Sequence, residues 1–220
     1  MINSTTFLNW DALKEAAVQQ EPFPFAVIPN LIQQPVLNSL VESFPTIKNR
    51  GSIPSESVKS ESIFQNFLSE LKGPAFRQVI AEKFELDLKD KPTLLTLRGY
   101  TTERDGHIHT DSKDKLITVL LYMNPTWDTP EGKLRLLNSK QSLNDYFAEI
   151  SPLAGSCLIF KVTPNCWHGH STFIGKRLSL QLNYLSSEAA FAKHHHHHRF
   201  SATLKRLFPK LFPAKEENYY

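Results

Sequence analysis

The sequence predicts a mainly β domain preceded by helices, and three observations predict it. From about residue 93 the chain breaks into short β-rich runs. They are "TLLTLRGY" (93–100), "KLITVLLYMN" (115–124), "KLRLLN" (133–138), "SCLIFKV" (156–162) and "KRLSLQLNYL" (176–185). Turn-like stretches separate them: "PTWDTPEG", "LAG", "TPNCWHGH" and "FIG". Before residue 90, by contrast, apolar residues recur at helical spacing. Helices followed by regularly spaced strands form the pattern of a helix-buttressed sandwich or barrel.

Each element has its own reason. "NWDALKEAAVQQ" (9–20) reads as a short helix with Asn9 or Asp11 near its cap. "FAVIPNLI" (25–32) is a short β-like run broken by Pro29. In "QPVLNSLVESF" (34–44), Val36, Leu37, Leu40, Val41 and Phe44 fall on one helical face. "NRGSIPSESVKSES" (49–62) is rich in Ser, Gly and Pro and reads as a loop. The run 62–84 reads as helices interrupted near Gly73-Pro74. No internal repeat is present.

Composition narrows the class. The 220 residues fit one domain with elaborations. An apolar fraction of 40% with 11% aromatic residues is enough to build a core. The net charge of +3 is too small an excess to indicate nucleic acid. Cys157 and Cys166 make no disulfide framework and fit a reducing compartment. The N-terminus lacks a basic region followed by an apolar run, and no stretch approaches a membrane span. The expectation is a soluble cytoplasmic protein.

The chemistry concentrates in "DGHIHTDSKD" (105–114). Residues two apart on an extended chain share a face, so His107, His109 and Asp111 would point the same way. An imidazole and a carboxylate at that spacing can reach one cation, although such a tripeptide also occurs in ordinary surface loops. A third ligand has to come from a distant strand. "NCWHGHSTFIGKRLSL" offers two, His168 and His170. Two histidines and one carboxylate make a facial triad that leaves positions open on non-haem Fe(II). No paired cysteines stand nearby to suggest structural zinc. The last strand alternates strictly. Arg177, Ser179, Gln181 and Asn183 share one face, and Leu178, Leu180, Leu182 and Tyr184 share the other. An arginine fork matches a carboxylate bidentately, and Ser179 could bond the same group, so the polar face can hold a small acid beside a metal.

In this order, His-Thr-Asp (109–111), His168 and Arg177-Leu178-Ser179 resemble the Fe(II)/2-oxoglutarate-dependent dioxygenases, most closely the prolyl 4-hydroxylase-like branch. There the distal metal histidine precedes the co-substrate arginine by about nine residues. His168 stands nine before Arg177 and His170 seven, which selects His168 and leaves His170 as the rival. Tyr100, nine before His109, resembles the branch's co-substrate tyrosine. "ITVLLYMN", "PEGKLRLL" (with Lys133 for a second Gly), "LAGSCLIF" and "PFPFAVIPNLIQQPVLNSLVESFP" resemble further pieces of it. The likeness covers roughly residues 22–187.

The resemblance implies a double-stranded β-helix, a jelly roll of the cupin kind. It implies Fe(II) on His109, Asp111 and His168, and 2-oxoglutarate on Arg177, Ser179 and Tyr100. O2 is the second co-substrate and ascorbate an optional accessory. The implied reaction releases succinate and CO2 and hydroxylates a protein side chain or a small molecule. Related halogenases lack the carboxylate, so Asp111 favours hydroxylation. The alternative is a cupin-like protein that binds metal or a small acid without turnover.

The dioxygenase domain is expected over 1–190, helical to about 90 with its core at 91–187, followed by a basic, His-rich tail at 191–220. His107 is read as a loop residue or a substrate contact, and Trp167 as core packing. The run His194–His198 can bind divalent metal adventitiously. The tail after it packs on the domain or a partner, or touches an anionic membrane surface. The loops 46–62, 101–108 and 124–132 carry no diagnostic substrate motif, and Arg104 and Trp127 are candidate contacts there.

Overall fold

The computed structural model describes residues 6–48 and 50–195. Four helices come first: α1 (Trp10–Glu15), α2 (Gln34–Glu42), α3 (Ser62–Leu71) and α4 (Pro74–Phe84). Asn9 caps α1 by accepting from the Ala12 amide at 3.1 Å. Gly73 and Pro74 divide α3 from α4, with Pro74 in the first turn of α4, where its missing N–H costs nothing. The short strand β1 (Phe25–Ile28) lies between α1 and α2. The segment read as a loop over 49–62 also holds a two-residue strand, β2 (Ile53–Pro54), and a 3₁₀ turn at Ser55–Ser57.

Seven strands follow: β3 (Thr93–Thr101), β4 (Lys115–Tyr122), β5 (Leu134–Leu137), β6 (Tyr146–Ile150), β7 (Cys157–Lys161), β8 (His168–Gly169) and β9 (Gly175–Leu185). Two of them, β6 and β8, were not legible in the sequence. The strands form a six-stranded sheet in the order β1-β7-β4-β9-β3-β2 and a three-stranded sheet in the order β6-β5-β8. All the strand pairings are antiparallel. The two sheets make the jelly roll, with the helices as its buttress.

The larger sheet is buried on both faces, so its strands read as nearly continuous apolar runs. One face packs on the helices. There Leu95, Leu97, Val119, Ile159, Leu180 and Leu182 join Leu13, Leu40, Phe64, Phe67, Phe76 and Ile80 in one core. The other face meets the small sheet through Phe25, Leu158, Phe160, Leu134, Leu136 and Ile150. Strand β7 shows the division, since Cys157 and Ile159 turn to the helices and Leu158 and Phe160 turn inward. The inner face becomes polar along β9, and that end carries the chemistry.

The described chain closes with a helical segment over 188–195. Ala190 packs with Leu94 and Leu185. Lys193 bridges Asp114 at 2.6 Å, and His195 reaches Glu56 at 2.7 Å. The rest of the histidine run and the basic tail, 196–220, lies outside the described residues. Among the described residues, no helix is long and apolar enough to cross a membrane.

Candidate metal centre

A backbone bridge between two distant loops builds the site. His109 and His168 exchange both amide hydrogen bonds, His109 N to His168 O at 3.0 Å and His168 N to His109 O at 2.9 Å. Strand β8 pairs with β5 on its other side, where Leu136 faces His168. The loop that carries His109 is thereby stitched to the small sheet, and the two imidazoles stand 4.3 Å apart, centre to centre.

Each ring is aimed by its own chain. His109 Nδ1 lies 2.8 Å from the His107 carbonyl and His168 Nδ1 lies 2.8 Å from the Cys166 carbonyl. A carbonyl only accepts, so both rings carry their proton on Nδ1 and keep the Nε2 lone pair free. Ligand atoms of His109, Asp111 and His168 all lie within 4.8 Å of one another. His170 is not in this group. Its Nδ1 is held by the Ser171 carbonyl at 2.8 Å, and its ring lies against Gly106. His107 is exposed and contributes its carbonyl rather than its ring.

Electrostatics prepare His168 and Asp111 for a cation. Burial, reinforced by nearby His109, lowers the His168 pKa to about 4, so the ring is neutral at physiological pH. Burial alone would raise the Asp111 pKa. Lys115, His168 and the hydrogen bonds from Lys115 and Thr118 outweigh it and hold the carboxyl below its ordinary value. Lys115 Nζ sits 2.7 Å from Asp111 Oδ1, and the Thr118 hydroxyl donates to Oδ2.

Strand β9 carries a buried cation. Arg177 is 5% exposed. Its Nε donates to the Gly132 carbonyl at 2.9 Å, and its guanidinium lies over the Tyr122 ring at 5.1 Å. Its Nη2 is buried with no hydrogen-bond partner. A buried, orphaned guanidinium nitrogen is costly unless an acceptor completes it. Gly132 can place its carbonyl there because its φ is +72°, and a Cβ would meet Trp127 at 2.8 Å and Phe173 at 2.9 Å. Ser179, paired with Tyr122 on one side and Arg98 on the other, continues the polar row across three strands.

The profile of the 2OG-Fe(II) oxygenase superfamily matches residues 95–185. That span runs from β3 through the end of β9 and takes in the histidine–aspartate cluster and Arg177. Over that span the chain is similar to that superfamily. The chain also shares its fold with a prolyl-4-hydroxylase from Pseudomonas putida, at 18% identity and a TM-score of 0.53 over 80% of this chain and 88% of that one. A viral collagen prolyl hydroxylase from Paramecium bursaria Chlorella virus-1, solved with 2OG, gives 11% identity and a TM-score of 0.54 over 74% of this chain and 96% of that one. No curated protein matches the sequence.

The donor set fits that superfamily's metal and co-substrate. Two imidazoles and a carboxylate suit Fe(II), and the open Arg177 nitrogen suits a carboxylate of 2-oxoglutarate. Sequence reasoning missed two neighbours of Arg177, Tyr122 and Arg98, and the carboxylate that pairs with Arg98. The Tyr122 phenol is fully buried, its pKa raised by burial and partly restored by Arg177. Arg98 stands beside Arg177 and pairs with Asp105 at 3.1 Å; burial, opposed by Asp105, lowers its pKa. Asp105 also accepts from the Thr102 amide and hydroxyl at 2.9 and 3.0 Å, which ties down the loop ahead of His109 and Asp111. Tyr100 lies beyond a register shift in β3, opposite Lys176 and half-buried. Only the pairing of β3 and β4 with β9 brings the other groups together.

Proposed function

We propose that His109, Asp111 and His168 hold Fe(II), and that Arg177 with Ser179 holds the distal carboxylate of 2-oxoglutarate, in an enzyme that hydroxylates its substrate. Tyr100 enters this reading on the resemblance alone. Tyr122 joins it because its ring lies against the Arg177 guanidinium at 5.1 Å. The observation that carries the reading is two Nε2-free imidazoles and a carboxylate within 4.8 Å of one another, beside a buried arginine whose Nη2 lacks an acceptor.

The metal and co-substrate supply the oxidation, coupling decarboxylation of 2-oxoglutarate to succinate with substrate hydroxylation. This chain's residues do the rest. The His107 and Cys166 carbonyls fix the imidazole tautomers, and Lys115 keeps Asp111 ionised. Arg177 orients the co-substrate by its far end. The His109 side is exposed, which leaves a way in for substrate. The reading treats 1–190 as the catalytic domain and 191–220 as an appended tail. Both thiols, Cys157 and Cys166, are buried and free, which fits a cytoplasmic setting.

The test is anaerobic titration of Fe(II)-loaded full-length protein with 2-oxoglutarate, watching the weak visible charge-transfer band of a chelate. The band is expected in wild type and absent in Asp111→Ala, which also reports metal held elsewhere, such as on the histidine run. Metal bound without any band would favour the non-catalytic cupin-like alternative.

A further inference from the structure

Asp111 is fixed by residues that come from two other strand positions. Thr118 on β4 and Asn183 on β9 face each other in register. Both are nearly fully buried, at 1% and 3% exposure. Asn183 Nδ2 donates to Thr118 Oγ1 at 2.8 Å, and Thr118 Oγ1 donates to Asp111 Oδ2. Gln181 Nε2 donates to Asn183 Oδ1 at 3.2 Å and fixes which way the Asn183 amide points.

The order of donors gives this chain a direction. A hydroxyl has one proton to give and lone pairs to receive. An amide N–H on Thr118 Oγ1 occupies a lone pair and turns the hydroxyl proton away from Asn183, towards Asp111. A carboxylate is an acceptor only, so it receives that proton without conflict. Every member of the run is satisfied, and in a buried setting a satisfied run resists rearrangement.

We propose that Thr118 and Asn183 are positioning residues of the metal centre. Through Thr118, the Asn183 amide holds the Asp111 carboxylate in the plane and rotamer that face His109 and His168. This rests on the reading of Asp111 as a metal ligand. Neither residue touches the metal or a substrate. Their effect is on how well the site is formed before the metal arrives.

The test is Mn(II) binding to the full-length protein, followed by the loss of the free-ion electron paramagnetic resonance signal. Binding that disappears in Asp111→Ala defines the site and sets aside metal on the histidine run. Thr118→Val keeps the shape and removes the hydroxyl. It is expected to weaken site binding by about 10- to 100-fold, the range typical of partners that orient a ligand. Thr118→Ser restores the donor and should bind within about threefold of wild type, which a merely space-filling role for Thr118 would not produce. Asn183→Asp presents Thr118 with an acceptor in place of a donor, draws its proton from Asp111, and should weaken binding as Thr118→Val does. It carries the test if Thr118→Val does not fold. Wild-type affinity in both Thr118→Val and Asn183→Asp overturns the proposal and leaves Asp111 as a ligand. Wild-type protein that binds Mn(II) no better than Asp111→Ala overturns the ligand reading, and the proposal with it.

Discussion

Lowering the pH of metal-free protein from about 7 to about 5 should remove a large part of its stability. His168 and His170 both have pKa values lowered to about 4 from an ordinary 6.5, first by burial and then by His109 and Arg177 respectively. Because each folded pKa lies below the unfolded one, the unfolded chain takes up protons first as the pH falls. The stability each group contributes is whole above pH 6.5 and is lost progressively towards pH 4. At about pH 5 the linkage amounts to about 2 kcal/mol per histidine, or about 4 kcal/mol for the pair. Domains are commonly stable by only about 5–15 kcal/mol, so the loss is readily measured. The buried carboxylates Asp105 and Asp111 do not confuse this window. Their pKa values are held below 3.8, so their contribution is lost only at lower pH. His194, also lowered by burial, adds in the same direction. Urea unfolding with chelator present, at both pH values, measures the total. His170→Gln removes one titrating ring and should reduce the pH-dependent loss by about 2 kcal/mol. Equal stability at the two pH values, or an unchanged loss in His170→Gln, would refute the reasoning.

Three further outcomes follow from the site. Asp111→Ala or His109→Ala should abolish iron-dependent succinate formation, and normal turnover in either would overturn the ligand set. Arg177→Ala should raise the 2-oxoglutarate Kd by roughly 30- to 150-fold, the equivalent of losing about 2–3 kcal/mol of charged hydrogen bonding, as read by the charge-transfer titration. An unchanged Kd would assign the carboxylate to another residue. Gly132→Ala places a Cβ within 3 Å of Trp127 and Phe173 at a left-handed φ. It should shift the carbonyl that holds Arg177 and weaken 2-oxoglutarate binding while the Mn(II) affinity stays at the wild-type value.

Much of this was legible because it was local. The alternation in "KRLSLQLNY" gave both faces of β9, and the structure buries the leucines on the helices and Arg177, Ser179 and Asn183 inward. Gly73-Pro74 gave the break between α3 and α4. The nine-residue spacing favoured His168 over His170, and the geometry groups His168 with His109 and Asp111. What escaped was short or non-local. Strand β8 has two residues and no period to detect. Strand β6, "YFAEI", lies at the edge of the small sheet with Tyr146 and Glu149 exposed, so its alternation is weak. Arg98, Tyr122 and Thr118 sit inside plainly β-like runs. Their partners Arg177 and Asn183 lie far along the chain, and only strand register brings them into contact.

The reciprocal bridge between His109 and His168 joins points 59 residues apart in the chain. An ion shared by those two rings acts there as a removable cross-link, closing a long loop whose entropy would otherwise work against the fold. Metal supplied at about a hundred times its Kd adds about 2.7 kcal/mol to such a protein. Stripping the ion should open the seam between the 105–114 loop and β8 first, before the helices that lie on the opposite face of the sheet. Amide hydrogen exchange at His109 and His168 would then serve as a gauge of metal occupancy.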